Sequence, residues 1–160
     1  MHDPLPEEKI DDDALRVWRT AGWISAAAYA AVVGAVLWLT LRFHWPAWIV
    51  ILLAIVAASA AIIEIAVVPN VRMARFRYAI RDDEIDLLHG LVVRKRTLIP
   101  MVKVQHVDTK QGPILRRYGL FTVTFSTAAG KHEIPALGAA RAEEVQSRIA
   151  KLARITDDEL

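Results

Sequence analysis

At 160 residues and 54% hydrophobic, the chain exceeds the apolar share of about 45–50% usual for soluble domains. The absence of cysteine excludes a disulfide framework, a thiolate metal site, an iron–sulfur cluster and a cysteine nucleophile. The formal net charge of +2 conceals a partition of acidic and basic residues along the chain.

Residues 1–19 hold Lys9, Arg16 and Arg19 against Asp3, Glu7, Glu8, Asp11, Asp12 and Asp13. They read as a free acidic tail on the cytoplasmic side. An acidic start followed by an apolar run of more than twenty residues is not the pattern of a cleaved signal peptide.

Residues 20–71 read as a transmembrane helical hairpin, with spans at about 20–41 and 45–68. The uncharged runs 20–41 and 45–63, about 22 and 19 residues, meet the roughly 20 residues needed to cross a hydrocarbon core. Only Arg42, Phe43 and His44 separate the first run from Trp45 and Pro46, so the helices are antiparallel and the turn is short. Proline suits the first turn of the second helix, where its missing N–H is not needed. Trp18, Trp23, Trp45 and Trp48 lie near span ends, as interfacial tryptophans do. Arg16, Arg19, Arg72, Arg75, Arg77 and Arg81 flank the outer ends against Arg42 alone in the turn, which predicts cytoplasmic termini. Glu64 reads as a carboxylate near the cytoplasmic end, partnered by Arg16 or Arg19, rather than as an ion-handling group. Small residues such as Ala26, Ala30, Gly34, Ala57 and Ala61 permit close helix approach.

After Pro69 the pattern turns to alternation. Phe76, Tyr78 and Ile80 make one face of a first strand, and Asp82-Asp83 a turn. Ile85 and Leu87 lie in a second strand, residues 91–99 form a third, and Pro100 closes it. Residues 102–110 make a further strand whose apolar face switches near Gln105-His106, as at a β-bulge. Gln111-Gly112-Pro113 breaks the chain, leaving Ile114, Leu115 and Tyr118 as exposed-looking apolar residues. Phe121, Val123 and Phe125 alternate with Thr122, Thr124 and Ser126, and a turn at residues 128–130 leads to a short strand through Ile134. Ala142, Val145, Ile149 and Leu152 then recur at helical spacing. The domain is expected over residues 72–155, with residues 156–160 an acidic tail. The fold class is membrane-anchored α+β: a two-helix hairpin, then an antiparallel β-barrel or sandwich capped by a helix.

The ordered set of residues 76–80 (FRYAI), Ile99-Pro100, residues 104–107 (VQHV), 111–119 (QGPILRRYG), 126–130 (STAAG) and Ile134-Pro135 resembles the bacterial pleckstrin-homology-like membrane proteins of the YdbS-like group. The resemblance implies a seven-stranded PH-like barrel with a C-terminal helix, anchored by a transmembrane hairpin in the bacterial inner membrane. It brings a fold more than a function.

No nucleophile-elbow, zinc-protease, dinucleotide or P-loop motif occurs. The five histidines, His2, His44, His89, His106 and His132, are scattered singly, so no metal is expected. Asp82, Asp83, Glu84 and Asp86 read as turn formers and solubilising charge. Neither catalysis nor a cofactor, small-molecule substrate or nucleic acid is expected. What remains is a basic surface beside a membrane: Arg72, Arg75, Arg77, Arg94, Arg96 and Lys103 as contacts for anionic lipid phosphate, with Arg94 and Arg96 on one strand face. Ile114, Leu115 and Tyr118 are the expected protein-interaction residues, for self-association or another membrane protein. The expected function is a non-catalytic, membrane-anchored binding or scaffold module. Its alternatives are a specific headgroup-binding or sensing protein and an accessory subunit of a transporter or enzyme complex.

Overall fold

The computed structural model describes residues 6–158. Asp3 and His2 of the N-terminal tail, and residues 159–160 with the side chains of 156–158, lie outside the described residues. The chain divides into two compact units, Leu15–Asn70 and the remainder.

In the first unit, α1 (Ala14–Phe43) and α2 (Ala47–Ile62) are joined at His44, which takes a left-handed φ of 55°. The Trp45 N–H donates to the Thr40 carbonyl at 3.2 Å, closing the turn. A π-helical turn, Ile63–Val67, then leads into α3 (Val68–Arg75). Its cause is Pro69, whose ring would collide with the carbonyl four residues back and which has no N–H to give it. The Val68 N–H accordingly reaches back five residues to the Ile63 carbonyl. The two continuous helical runs, 30 and 29 residues, extend roughly 45 Å at 1.5 Å per residue, enough to cross a hydrocarbon core of about 30 Å.

Half-buried or buried positions in α1 recur at Gly22, Tyr29, Val33, Val36 and Thr40, and in α2 at Val50, Leu53, Ala57 and Ala61. A Cβ on Gly22 would lie 2.9 Å from Ile65 Cγ1 and 3.1 Å from the Glu64 carbonyl oxygen. Glycine is therefore what lets the helices approach there. Trp23, Trp38, Ile51, Ile55 and Ile62 are exposed, an apolar exterior of the kind that faces a membrane or an apolar partner.

In the second unit, β1 (Arg77–Ile80), β2 (Glu84–His89) and β3 (Lys95–Pro100) form one antiparallel sheet. A second sheet contains β4 (Val104–Lys110), β5 (Leu120–Thr127) and β6 (Gly130–Gly138). A short α4 (Pro113–Arg117) precedes β5, and α5 (Ala139–Asp158) ends the unit. Tyr78, Ile85 and Leu87 from one sheet, and Met101 just beyond it, join Val123, Phe125, Ile134 and Leu137 from the other sheet and Val145 and Ile149 of α5 in the core. This is a PH-like sandwich with a terminal helix, built from six strands among the described residues where the resemblance implies seven.

Register shifts between Val104 and His106, where the alternation breaks in the sequence. A second irregularity lies between Phe121 and Val123, opposite Pro135 and Ala136. Proline cannot donate to the ladder and Ala136 has a φ of 54°, so β6 bulges and resumes to Gly138 instead of ending at Ile134.

Further expectations change. Residues 91–94 are a loop, because β2 ends at His89 opposite Lys95 and no strand remains for them to pair with. The terminal helix runs to Asp158, past residue 155. Residues 8–11 of the N-terminal tail are docked, not free. Glu8 exchanges backbone hydrogen bonds with Tyr78 at 3.1 and 3.0 Å, along the edge of β1, and the Asp11 N–H donates to the Ala136 carbonyl at 3.2 Å. Ile10 is 3% exposed, and burial of its side chain outweighs the charge that suggested a solvated tail.

Candidate anionic-ligand site

The basic residues singled out in the sequence do not act as one group. Arg96 is committed to Asp86. Its Nη2 lies 2.6 Å from Asp86 Oδ2 and its Nε donates to both carboxylate oxygens at 3.1 Å. Asp86 is fully buried, so the bidentate pair neutralises a charge that would otherwise be left with neither solvent nor a counter-charge. Arg96 is therefore a structural partner, and the paired grip of Arg94 and Arg96 does not form. Arg94 lies in the loop before β3, off the strand face expected of it. Lys103 sits in a 3-10 turn, Met101–Lys103, beyond the opposite end of β3 from Arg94. Arg72 is exposed on α3.

The structure instead brings Arg75, Arg77 and Arg94 together. With Pro6, Glu7, Ala74 and Leu88 they line an open cleft of about 430 Å³. Each arginine gets there by a different local device. Arg75 is the last residue of α3, and its Nη1 donates to the Leu91 and Val92 carbonyls. Arg77 opens β1, and its Nη1 donates to the Phe76 carbonyl at 2.8 Å and to Met73 at 3.2 Å. Arg94 is delivered by the loop, and among the described residues its guanidinium has no hydrogen bond or ion pair. Among the described residues, three guanidinium groups against the one carboxylate of Glu7 leave the cleft basic, suited to a phosphate.

The acidic run Asp82, Asp83, Glu84 and Asp86 divides in the same way. Asp82 and Asp83 are the exposed turn, Glu84 pairs with Arg81 at 3.1 Å, and Asp86 is buried against Arg96. The sequence did not mark Asp86, because alternation with Ile85 and Leu87 puts it on the other face of the strand, where a solvated carboxylate is the ordinary expectation. Among the described residues no group of His, Asp or Glu could hold a metal ion.

The proposed contact residues Ile114, Leu115 and Tyr118 are half-buried. Pro113 starts α4 at its first helical position, and the Gln111 side chain donates to the Leu120 carbonyl at 3.2 Å. The turn of helix that results leaves these three less surface than an extended segment would.

Two polar clusters escaped the sequence reading. Arg141 of α5 donates from Nε to the Tyr78 hydroxyl at 3.2 Å and pairs with Glu8 and Glu144. Burial pushes the Tyr78 phenol up, while the Tyr78 hydrogen bond leads the contacts that hold Arg141 above its ordinary value. The cluster ties the docked N-terminal segment to α5. In the hairpin, the Tyr29 hydroxyl donates to Glu64 Oε1 at 2.7 Å, from within the π-helical turn. Tyr29 is thus the partner of Glu64, in place of Arg16 or Arg19.

An apolar hairpin joined to a PH-like sandwich defines a membrane protein with a bacterial PH domain. The sequence profile of that domain matches residues 19–153, and the chain belongs to the bacterial PH domain family. It is 43% identical over 155 residues to the UPF0699 transmembrane protein YdbS of Bacillus subtilis (strain 168), covering 97% of this chain and 98% of that protein. It is also 32% identical over 79 residues to the UPF0699 transmembrane protein YdbT of the same organism, covering 49% of this chain and 16% of that protein. No solved structure matches it.

Proposed function

We propose that this protein is a non-catalytic, membrane-anchored binding module whose PH-like domain contacts a phosphate-bearing anionic lipid headgroup at the cytoplasmic face of the bacterial membrane. The observation that carries this reading is the convergence of Arg75, Arg77 and Arg94 on one open cleft. Charge-assisted hydrogen bonds from guanidinium to phosphate are individually strong and geometrically directed. Juxtamembrane arginines each gain on the order of 1 kcal/mol near an anionic leaflet. The excess of arginine at the outer ends of the spans supports the cytoplasmic orientation.

The test is calorimetric titration of the full chain, in a neutral detergent, with short-chain phosphatidylglycerol and short-chain phosphatidylcholine. Phosphatidylglycerol is expected to bind more tightly. Arg94→Ala is expected to weaken it about tenfold, the value of one lost hydrogen bond to a charged group. Lys103→Ala, at the far end of the sheet, is expected to leave binding unchanged. Equal binding of the two lipids, or an unaffected Arg94→Ala variant, would overturn the proposal.

A further inference from the structure

The loop between β2 and β3 carries three consecutive apolar side chains in the open. Leu91 is 38% exposed, Val92 90% and Val93 76%. Nothing in the sheet requires them there, and in water they forgo the favourable burial that apolar side chains gain elsewhere. The loop is also held in shape. Gly90 has a φ of 127°, and a Cβ on it would fall 1.9 Å from the Val93 carbonyl oxygen, so the chain closes tightly at the loop's base. Arg75 ties down the carbonyls of Leu91 and Val92 from beneath. The tip is therefore a fixed apolar projection, not a slack connection.

Its surroundings are basic. Arg94 and Lys95 follow the tip directly and are exposed. Arg75, whose guanidinium grips the loop, lies with Arg77 in the lining of the cleft beside it. An apolar tip within a collar of arginine and lysine matches the layered chemistry of an anionic bilayer surface, with acyl chains beneath phosphates. A protein surface offers apolar ground as well, but it gives no general reason for four basic residues, Arg75, Arg77, Arg94 and Lys95, beside the apolar tip. Arg75 also follows Asn70, the last residue of the apolar unit, by only five positions.

Resting on the lipid reading above, we infer that residues 91–93 insert into the headgroup and upper acyl region of the membrane while Arg75, Arg77 and Arg94 engage lipid phosphates around them. The PH-like domain would then hold the bilayer at two places, through its helical anchor and through this loop. Each phosphate contact orients the tip, and insertion of the tip keeps the arginines at headgroup depth.

Because the chain has no cysteine, Val92→Cys introduces a single labelling site on the full-length protein. The variant is coupled to an environment-sensitive fluorophore and reconstituted in phosphatidylglycerol-containing nanodiscs. Doxyl-labelled phosphatidylcholine then serves as a quencher. Quenching is expected to be about threefold stronger than for the same label at Glu143→Cys, an exposed position on α5. Equal quenching at the two sites overturns the inference. If phosphatidylglycerol titration still depends on Arg94 in that case, the cleft reading stands and only the loop is wrong. Strong quenching at position 92 with lipid binding indifferent to Arg94→Ala keeps the inserted loop and removes the cleft. Shielding of the label from aqueous iodide without lipid quenching, rising with the number of chains per disc, would show that a second copy covers the loop and would also overturn the inference.

Discussion

The hairpin turns Trp23, Ile51 and Ile62 outward and keeps Gly22, Tyr29 and Ala57 on its inner side, whereas the PH-like unit buries Tyr78, Ile85 and Phe125 and exposes its lysines. Each shields a carboxylate from open solvent, Asp86 in one and Glu64 in the other, and the two are handled differently. Asp86 is fully buried and faces a bidentate arginine, while Glu64 is half-buried and receives a tyrosine hydroxyl. In a packed aqueous domain a cation can be brought to a buried anion from the partly exposed rim, as Arg96 is. Within an apolar span a neutral donor carries no second charge into lipid. Inner surfaces differ too. Small residues set the contact between the two helices, where apolar area gains nothing over lipid, but large ones fill the sandwich, where it does.

That contrast can be broken at its strongest point first. Arg96→Ala leaves the fully buried Asp86 carboxylate with no counter-charge, and is expected to cost the PH-like unit about 3–5 kcal/mol. Hydrogen exchange on the detergent-solubilised protein should show the loss in β1, β2 and β3, with α1 and α2 retaining their protection. Next in size is Ile10→Ala, which removes the buried anchor of the N-terminal segment and is expected to cost about 2–4 kcal/mol. Faster proteolysis within residues 6–12 would register it, and an unchanged cleavage rate would mean that the segment is not docked in solution.

Gly22→Leu sharpens the hairpin side of the comparison. Its added side chain meets Ile65 and the Glu64 backbone, so it is expected to cost about 1–3 kcal/mol in helix association. A steric-trapping measurement in bicelles can detect it. The smallest effect concerns pH. Burial chiefly, with help from Lys95 and His132, holds His89 below its ordinary value of 6.5. The unfolded chain therefore binds a proton more readily than the folded one. Stability should be full above about pH 6.5 and decline as pH falls through that value towards the lower folded one. Thermal melts at stepped pH should show the decline, and His89→Gln should flatten it.

Much of the architecture was legible because its signals are local. Two uncharged runs marked the helices, alternation around Phe121, Val123 and Phe125 marked β5, and the change of apolar face near Gln105 marked the bulge. Ala142, Val145 and Ile149 announced the buried stripe of α5. The candidate site was only half legible. Arg75, Arg77 and Arg94 were singled out for their charge, but so were Arg96 and Lys103, and nothing in the sequence separates an arginine free for a ligand from one bound to Asp86.

By its sequence alone this protein is determined to have two helices fit for lipid, a β-rich domain with a terminal amphipathic helix, and no thiol chemistry. Periodicity and composition suffice for this, since each reports on an element's own neighbours. Tertiary structure alone decided that residues 91–94 leave the sheet, that the acidic N-terminal segment lies along β1, and that three arginines from a helix end, a strand start and a loop share one cleft. Each of these depends on groups far apart in the chain, such as Glu8 with Arg141 or Arg75 with the carbonyl of Leu91. The pairing of distant strands and the closing of a core settle such contacts, and neither is written in any local pattern of residues.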